Sequence, residues 1–230
     1  MDDPTPGQLK KFADDNRHFS LVRNFKLADM VTIMNGVCGS LSLFSSAKFL
    51  VTSNERYLWQ AMWFPLFGMF FDLFDGKVAR WRNEASMLGQ ELDSLADSIS
   101  FGVAPAMIGF CLGLRTTLDV VMLTGFICCG IARLARFNAT AASMPHDARG
   151  KAKYFEGLPI PTSLILVGLM ALCVYTKRYD GPGGALGSHG LPGGLIAPLG
   201  KSGLDLHWLA LVFGGWATAM VSKSLHVPKP

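Results

Sequence analysis

Four aspartates stand at spacings that could do chemistry. Asp72 and Asp75 are three residues apart and Asp93 and Asp97 are four apart, all within the stretch 71–102, FDLFDGKVARWRNEASMLGQELDSLADSISFG. On a helix, residues three or four apart share one face, so each pair presents its carboxylates together. A short turn between the pairs would gather all four. Like charges so gathered repel, and carboxylates at membrane depth are costly unless paired or bound to cations. Hard divalent cations such as Mg²⁺ and Mn²⁺ prefer oxygen ligands and relieve that repulsion. Two such ions about 4 Å apart serve phosphoryl chemistry by stabilising charge on the attacking and leaving oxygens. The alternative is a solvated loop in which the carboxylates pair with Lys77, Arg80 and Arg82. Intramembrane ionisable residues are functional by default, which favours the cation site. Gly76, Ala79 and Gly89 leave room for a ligand to approach the backbone, and Arg80 can clamp a phosphate. Small residues also serve helix packing, so the glycines alone do not decide between the two.

The elements that must position these groups are apolar. Half of the 230 residues are hydrophobic and 17% are charged, against about 25% charged in soluble domains. Six apolar spans cover roughly 30–52, 57–75, 94–113, 117–137, 157–176 and 206–222, each near the length of about 20 residues that crosses a bilayer core. The expected fold is therefore all-α and integral to the membrane, with six transmembrane helices forming a catalytic domain over 27–230. Asp72 and Asp75 end the second span, and Asp93 and Asp97 begin the third. Of the 21 Lys and Arg residues, 15 fall on the side that holds the N-terminal tail, the 2–3 loop, the 4–5 loop and the C-terminus. The positive-inside rule puts that side, both termini and the aspartates in the cytosol.

Residues 1–26 are polar and charged with no signal peptide, so the first apolar span is expected to act as its own insertion signal. Within them, Leu9, Phe12, Phe19 and Leu21 among charges suit either an interfacial helix or a partly ordered tail. Residues 179–204, rich in Gly and Pro, read as a flexible loop on the non-cytosolic side. The five cysteines lie in apolar stretches without metal-site spacing and read as packing residues. A net charge of +4 is too modest to argue for nucleic acid. A cation-coupled transporter would carry an inverted repeat and a site at the midplane; no repeat is visible here.

The pattern Asp72-x2-Asp75-Gly76-x2-Ala79-Arg80-x8-Gly89-x3-Asp93-x3-Asp97 resembles the signature of the CDP-alcohol phosphatidyltransferases at every fixed position. The resemblance implies a fold of six transmembrane helices, usually dimeric, and two divalent ions, Mn²⁺ or Mg²⁺, per site. It assigns the metals to Asp72, Asp75, Asp93 and Asp97. Asp97 also becomes the base that activates the acceptor alcohol, and Gly76, Ala79, Arg80 and Gly89 become contacts to the CDP group. Asn35, in the first span, suits either a contact to the nucleotide or a buried interhelical hydrogen bond.

Four further segments bear on the acceptor: DSLADSISFGVAPA (93–106), RLARFN (133–138), FEGLPIPTS (155–163) and MVSKSLHVPKP (220–230). They resemble the serine-accepting branch of the family, of fungal type, over about residues 25–176 and at the C-terminal segment. This implies CDP-diacylglycerol as donor, L-serine as acceptor, a homodimer among membrane lipids, and the endoplasmic reticulum as location. Serine carries a carboxylate that a guanidinium can hold in bidentate fashion. Arg136 is the expected partner, with Arg133 assisting or binding the lipid phosphate, and Phe137 and Asn138 completing the pocket. Anchoring by positive charge is the other reading of both arginines. Pro159 and Pro161 are expected to break the start of the fifth span and shape the pocket rim. A sibling enzyme that takes glycerol phosphate or inositol phosphate needs extra cations, which Arg149, Lys151 and Lys153 could supply.

Overall fold

The computed structural model of the chain describes residues 27–82, 87–141, 154–182, 190–196, 205–222 and 226–228. The N-terminal segment, residues 183–189 and 197–204 of the 179–204 loop, and the Arg149–Lys153 cations lie outside the described residues.

Helix α1 (Leu27–Thr52) turns at Ser53–Asn54 into the 28-residue α2 (Glu55–Arg82). Helix α3 (Met87–Asp97) runs through a π-helical turn (Ser98–Val103) into α4 (Ala104–Leu112). Helix α5 (Thr117–Ala141) follows. A strand β1 (Tyr154–Glu156) and a 3₁₀ turn (Ile160–Ser163) lead into α6 (Leu164–Tyr175). Strands β2 (Leu195–Ile196) and β3 (Leu206–His207) pair before α7 (Trp208–Val221), and β4 (His226–Pro228) pairs antiparallel with β1, Phe155 opposite Val227.

Each expected span overlaps helix, although 157–159 lie outside any helix and 206–207 form strand β3. Among the described residues, three helical stretches are long and apolar enough to cross a membrane: Ala28–Thr52, Leu88–Leu112 and Thr117–Ala139. Helices α6 and α7 are apolar but shorter, and α2 carries Gln60, Pro65 and the charged run from Asp72 to Arg82. The outward faces are strongly apolar: Phe44, Trp63, Phe70, Val121 and Leu172 are all more than half exposed. Patches of that kind suit hydrocarbon rather than water.

Two boundaries differ from the sequence reading in ways that matter. Helix α2 continues past residue 75 to Arg82, and α3 starts at Met87 rather than at 94. The aspartates therefore sit inside helices, with whole turns beyond them, rather than at helix ends. The fifth span also begins differently, since Pro159 leads into a 3₁₀ turn and the α-helix starts only at Leu164. Proline has no N–H to donate, and it tightens or breaks the turn it enters.

The π turn has a comparable origin. Pro105 cannot donate back to the preceding turn, and the Ala104 N–H bonds instead to the Ile99 carbonyl, five residues back. The widened turn buries Ser100, Phe101 and Gly102.

Small residues let α1 lie close to its neighbours. A Cβ placed on Gly39 would stand 2.6 Å from Ser100 Oγ, 2.9 Å from Ile99 Cγ2 and 3.0 Å from the Ser100 Cα. One placed on Gly36 would meet Ala96 Cβ at 3.6 Å. Small-residue stripes are the usual means of close helix approach in membranes, where no hydrophobic force drives helices together. Helix α1 also packs along α2, so it bridges α2 and α3.

The remaining core joins the later helices. Phe126 on α5 and Phe213 on α7, both fully buried, meet edge to face at 5.3 Å. At the end of the molecule away from the aspartates, Asp119 and Thr116 bond reciprocally at the start of α5, as in a capping box. The same buried carboxylate accepts the His207 backbone N–H at 2.9 Å and faces His207 Nδ1 at 2.6 Å, tying the start of α5 to the start of α7. Near that end Tyr179 is buried beside Glu55, and burial with that negative charge pushes its phenol up to about 12.

Substitutions at two glycines test the close approach. Gly39→Val is expected to lower the unfolding midpoint in detergent, since overpacking of this kind costs about 1–3 kcal/mol. Gly168→Ala, with nothing within 4 Å of the added carbon, is expected to leave the midpoint unchanged or raised. Equal midpoints for both variants would show that α1 does not depend on the Gly39 contact.

Candidate active site

Helix α2 delivers Asp72 and helix α3 delivers Asp93 and Asp97. One carboxylate oxygen from each lies within 4.8 Å of the others. Asp97 is buried at 7% exposure, while Asp72 and Asp93 are half-buried. Three of the four aspartates singled out by spacing are thus brought together across two helices. Asp75 follows Asp72 by three residues on α2, but its side chain lies outside the described residues, as do those of Gly76, Ala79 and Arg80. Gly89 is on α3, half-buried, one turn before Asp93.

The donor set fits a hard divalent cation. All three groups are carboxylates, and three negative charges at this separation in a largely buried place repel strongly without a counter-charge. The Arg133 guanidinium offsets part of that charge at Asp97, and a neutral donor lies close by. Asn35 on α1, fully buried, donates from Nδ2 to Asp97 Oδ1 at 3.0 Å. Its own backbone carbonyl accepts from Ser100 Oγ at 2.9 Å. Of the two readings open for Asn35, the interhelical hydrogen bond is therefore present.

Helix α5 brings the second group of expected residues to the same place. Asn138 donates from Nδ2 to Ser94 Oγ at 2.9 Å. Its Oδ1 accepts from Ser94 Oγ at 3.2 Å and from Gln90 Nε2 at 3.3 Å. This locks the end of α5 onto α3 beside Asp93. Asn138 was expected to line an acceptor pocket, yet in this structure both ends of its amide are engaged by α3. The Arg133 guanidinium stacks over the Phe137 ring at 5.7 Å and lies close enough to Asp97 for their charges to interact. Arg136 and Phe137 are half-buried on the same helix. Arg133 and Asn138 thus lie beside the aspartate-bearing helix α3.

Several site residues escaped the sequence reading. Ser94 and Gln90 carry the α3–α5 link, and Ser100 and Gly68 frame Asn35. Polar residues one turn apart on α3 (Gln90, Ser94) and glycines three apart on α1 (Gly36, Gly39) were the available signals. Nothing in the spacing of Gly68 set it apart from any other glycine in a membrane helix.

Comparison with known proteins agrees with this geometry. The family described as CDP-alcohol phosphatidyltransferase matches residues 25–216. A protein of Saccharomyces cerevisiae named CDP-diacylglycerol–serine O-phosphatidyltransferase is 47% identical over 228 residues, covering 99% of this chain and 79% of the relative. A Bacillus subtilis protein of the same name is 37% identical over 134 residues, covering 57% of this chain and 67% of the relative. One from Methanocaldococcus jannaschii, also of that name, is 34% identical over 155 residues, covering 67% and 65%. With a match across most of its length and three aspartates of the signature gathered in space, the chain belongs to the CDP-alcohol phosphatidyltransferase family.

Proposed function

We propose that this protein transfers the phosphatidyl group of CDP-diacylglycerol to the hydroxyl of L-serine, giving phosphatidylserine and CMP. The observation that carries the reaction type is the convergence of Asp72, Asp93 and Asp97. Serine as acceptor rests on the similarity to the yeast relative along nearly the whole chain.

In this reading Asp72, Asp75, Asp93 and Asp97 hold two divalent ions, Mn²⁺ or Mg²⁺. When bound, these ions neutralise the diphosphate and stabilise charge on the departing CMP. The residues of the chain do the rest. Gly76, Ala79 and Gly89 let the CDP group lie against the backbone, and Arg80 holds a phosphate. Asp97 takes the proton of the serine hydroxyl as its oxygen attacks the phosphorus on the diacylglycerol side. The bond from that phosphorus to the CMP oxygen breaks, and the proton stays on the Asp97 carboxyl until product release. Arg136 receives the serine carboxylate, and Arg133, steadied by Phe137, faces either that carboxylate or the lipid phosphate.

The membrane arrangement is inferred along the same lines. Helices α2, α6 and α7 complete a bundle of six spans with the three long apolar stretches, and residues 1–26 form a separate cytosolic segment. Both termini and the aspartates face the cytosol, by the positive-inside count. The similarity to the yeast relative supports a fungal enzyme of the endoplasmic reticulum. A homodimer follows from the family resemblance.

Three measurements test this reading on purified protein. Asp97→Asn keeps the shape of the side chain but cannot take a proton, so turnover is expected to fall by about 10²–10⁴-fold. Binding of CDP-diacylglycerol should be largely retained, and near-normal turnover would remove Asp97 from the base role. Stripping divalent ions with EDTA is expected to abolish phosphatidylserine formation, and Mn²⁺ or Mg²⁺ to restore it. Ca²⁺ should restore binding better than turnover, because its looser coordination places the reacting oxygens less strictly. Full activity after stripping would refute the role of the carboxylates.

Acceptor recognition is tested at Arg136. Arg136→Lys keeps the charge but loses the planar fork. Its Michaelis constant for serine is expected to rise about tenfold to a hundredfold, the scale of one charge-assisted contact. That for CDP-diacylglycerol should stay within about threefold, well below that scale. An equal shift for both substrates would move the carboxylate site elsewhere.

A further inference from the structure

Asn35 is the place where α1 touches both aspartate-bearing helices. Its side-chain amide is fully buried and has two unlike ends. A carboxylate can only accept, so the NH₂ end must face Asp97, and Nδ2 lies 3.0 Å from Asp97 Oδ1. The opposite end, Oδ1, then points at α2 and makes no hydrogen bond among the described residues. It meets α2 at Gly68, where an added Cβ would stand only 2.7 Å from Asn35 Oδ1. The next atoms near such a Cβ are at ordinary contact distance, Ser100 Oγ at 3.5 Å and Cys38 Cβ at 3.6 Å. So, among the described residues, the close obstacle to a Cβ at position 68 is the Asn35 amide. Gly68 also lies four residues, one helical turn, before Asp72 on α2.

The α1 backbone at this point is fixed as well. Ser100 Oγ donates to the Asn35 carbonyl, and Gly39 admits the π turn against the next turn of α1. The amide therefore has little freedom to leave Asp97 by a backbone shift. Its only easy motion is rotation of the side chain, and the wall at Gly68 limits that rotation.

We infer that Asn35 is a positioning residue for Asp97. Its amide, wedged against the bare backbone of Gly68, fixes the rotation of the Asp97 carboxylate so that Asp97 meets Asp72 and Asp93 at a cation site. The donor is neutral, so it orients the carboxylate without cancelling its charge. Gly68 is glycine because this wedge needs the space. The inference rests on the cation site proposed above and replaces a direct nucleotide contact by Asn35.

A double-mutant cycle on the full-length purified protein tests it, using wild type, Asn35→Ala, Gly68→Ala and the double variant. Three quantities are read: turnover with both Michaelis constants, Mn²⁺ affinity from the free-ion EPR signal in the absence of substrate, and the unfolding midpoint. Asn35→Ala is expected to weaken Mn²⁺ binding and lower turnover by about 10–100-fold, as loss of a partner behind a metal ligand does. The Michaelis constant for CDP-diacylglycerol should stay within about threefold of wild type, far below that range. Gly68→Ala alone should shift Mn²⁺ affinity and turnover in the same direction, because the new methyl group displaces the amide. In the Asn35→Ala background the same Gly68→Ala change should cost nothing further. It should also raise the unfolding midpoint there, as alanine for glycine within a helix does when space allows.

Multiplying losses in the double variant would overturn the inference. So would an Asn35→Ala protein with normal Mn²⁺ affinity and a raised Michaelis constant for CDP-diacylglycerol, which is the signature of a nucleotide contact. A lowered midpoint with unchanged Mn²⁺ affinity and turnover would reduce Asn35 to packing and overturn it equally. Should Asn35→Ala fail to fold, Gly68→Ala still decides, since normal Mn²⁺ affinity in that variant contradicts the wedge. Wild-type protein that binds Mn²⁺ but makes no phosphatidylserine would sink the reaction proposed above, while the Mn²⁺ and midpoint arms still judge Asn35. Wild-type protein that binds no Mn²⁺ would overturn both.

Discussion

Three carboxylates with oxygens within 4.8 Å of one another set the terms for this end of the molecule. Left alone, the two helices that carry them would be driven apart by like charge. Arg133 on α5 offsets part of that charge at Asp97, and neutral contacts next to the carboxylates add to the hold. Helix α1 is fitted against α3 through Gly36, Gly39, Ala96 and Ser100, and against α2 at Gly68. Helix α5 is bonded to α3 through Asn138, Ser94 and Gln90. None of these groups carries a charge. These contacts leave the charge of the cluster available to a cation, and part of the cost of crowding is met by packing and hydrogen bonds.

The bundle uses two kinds of helix contact. Around α1 and the π turn, glycine, alanine and serine bring backbones close. Between α5 and α7, large side chains such as Phe126 and Phe213 fill the space instead. The first kind of contact fixes helix positions finely and tolerates little change in volume. The second is ordinary core packing, which accepts substitutions of similar volume.

Much of the site was legible in the chain because its chemistry is local in sequence. Asp72, Asp93 and Asp97 declare themselves by type and spacing, and helical geometry alone says that Asp93 and Asp97 share a face. Arg133, Phe137 and Asn138 could be tied to the same end through the loop-charge asymmetry. The roles of Asn35 and Gly68 were not legible, because they depend on a contact between residues far apart in sequence and on a space that no residue type announces. Helix boundaries were misread for a related reason. The polar stretch 76–93 looks like a loop by hydropathy, yet α2 reaches Arg82 and α3 starts at Met87. Helical hydrogen bonds persist where hydrophobicity fades. The bond of Asn138 to α3 was hidden too, since an asparagine near a helix end suits many partners.

The π turn at Ser98–Val103 has one more consequence, in the phasing of a single rod. An α-helix advances about 100° per residue, so every face along it is normally tied to every other. A widened turn breaks that tie. The stretch before it is set by the cluster that Asp93 and Asp97 must join. The stretch after it is set by the fully buried Ile108, Cys111 and Leu112. Closing that turn to α geometry with the sequence unchanged would swing Ala104–Leu112 by about that angle relative to the aspartates. Chemistry and burial would then be competing for one register. With the turn in place, the two ends of the rod are indexed separately, and either can change its sequence without re-aiming the other.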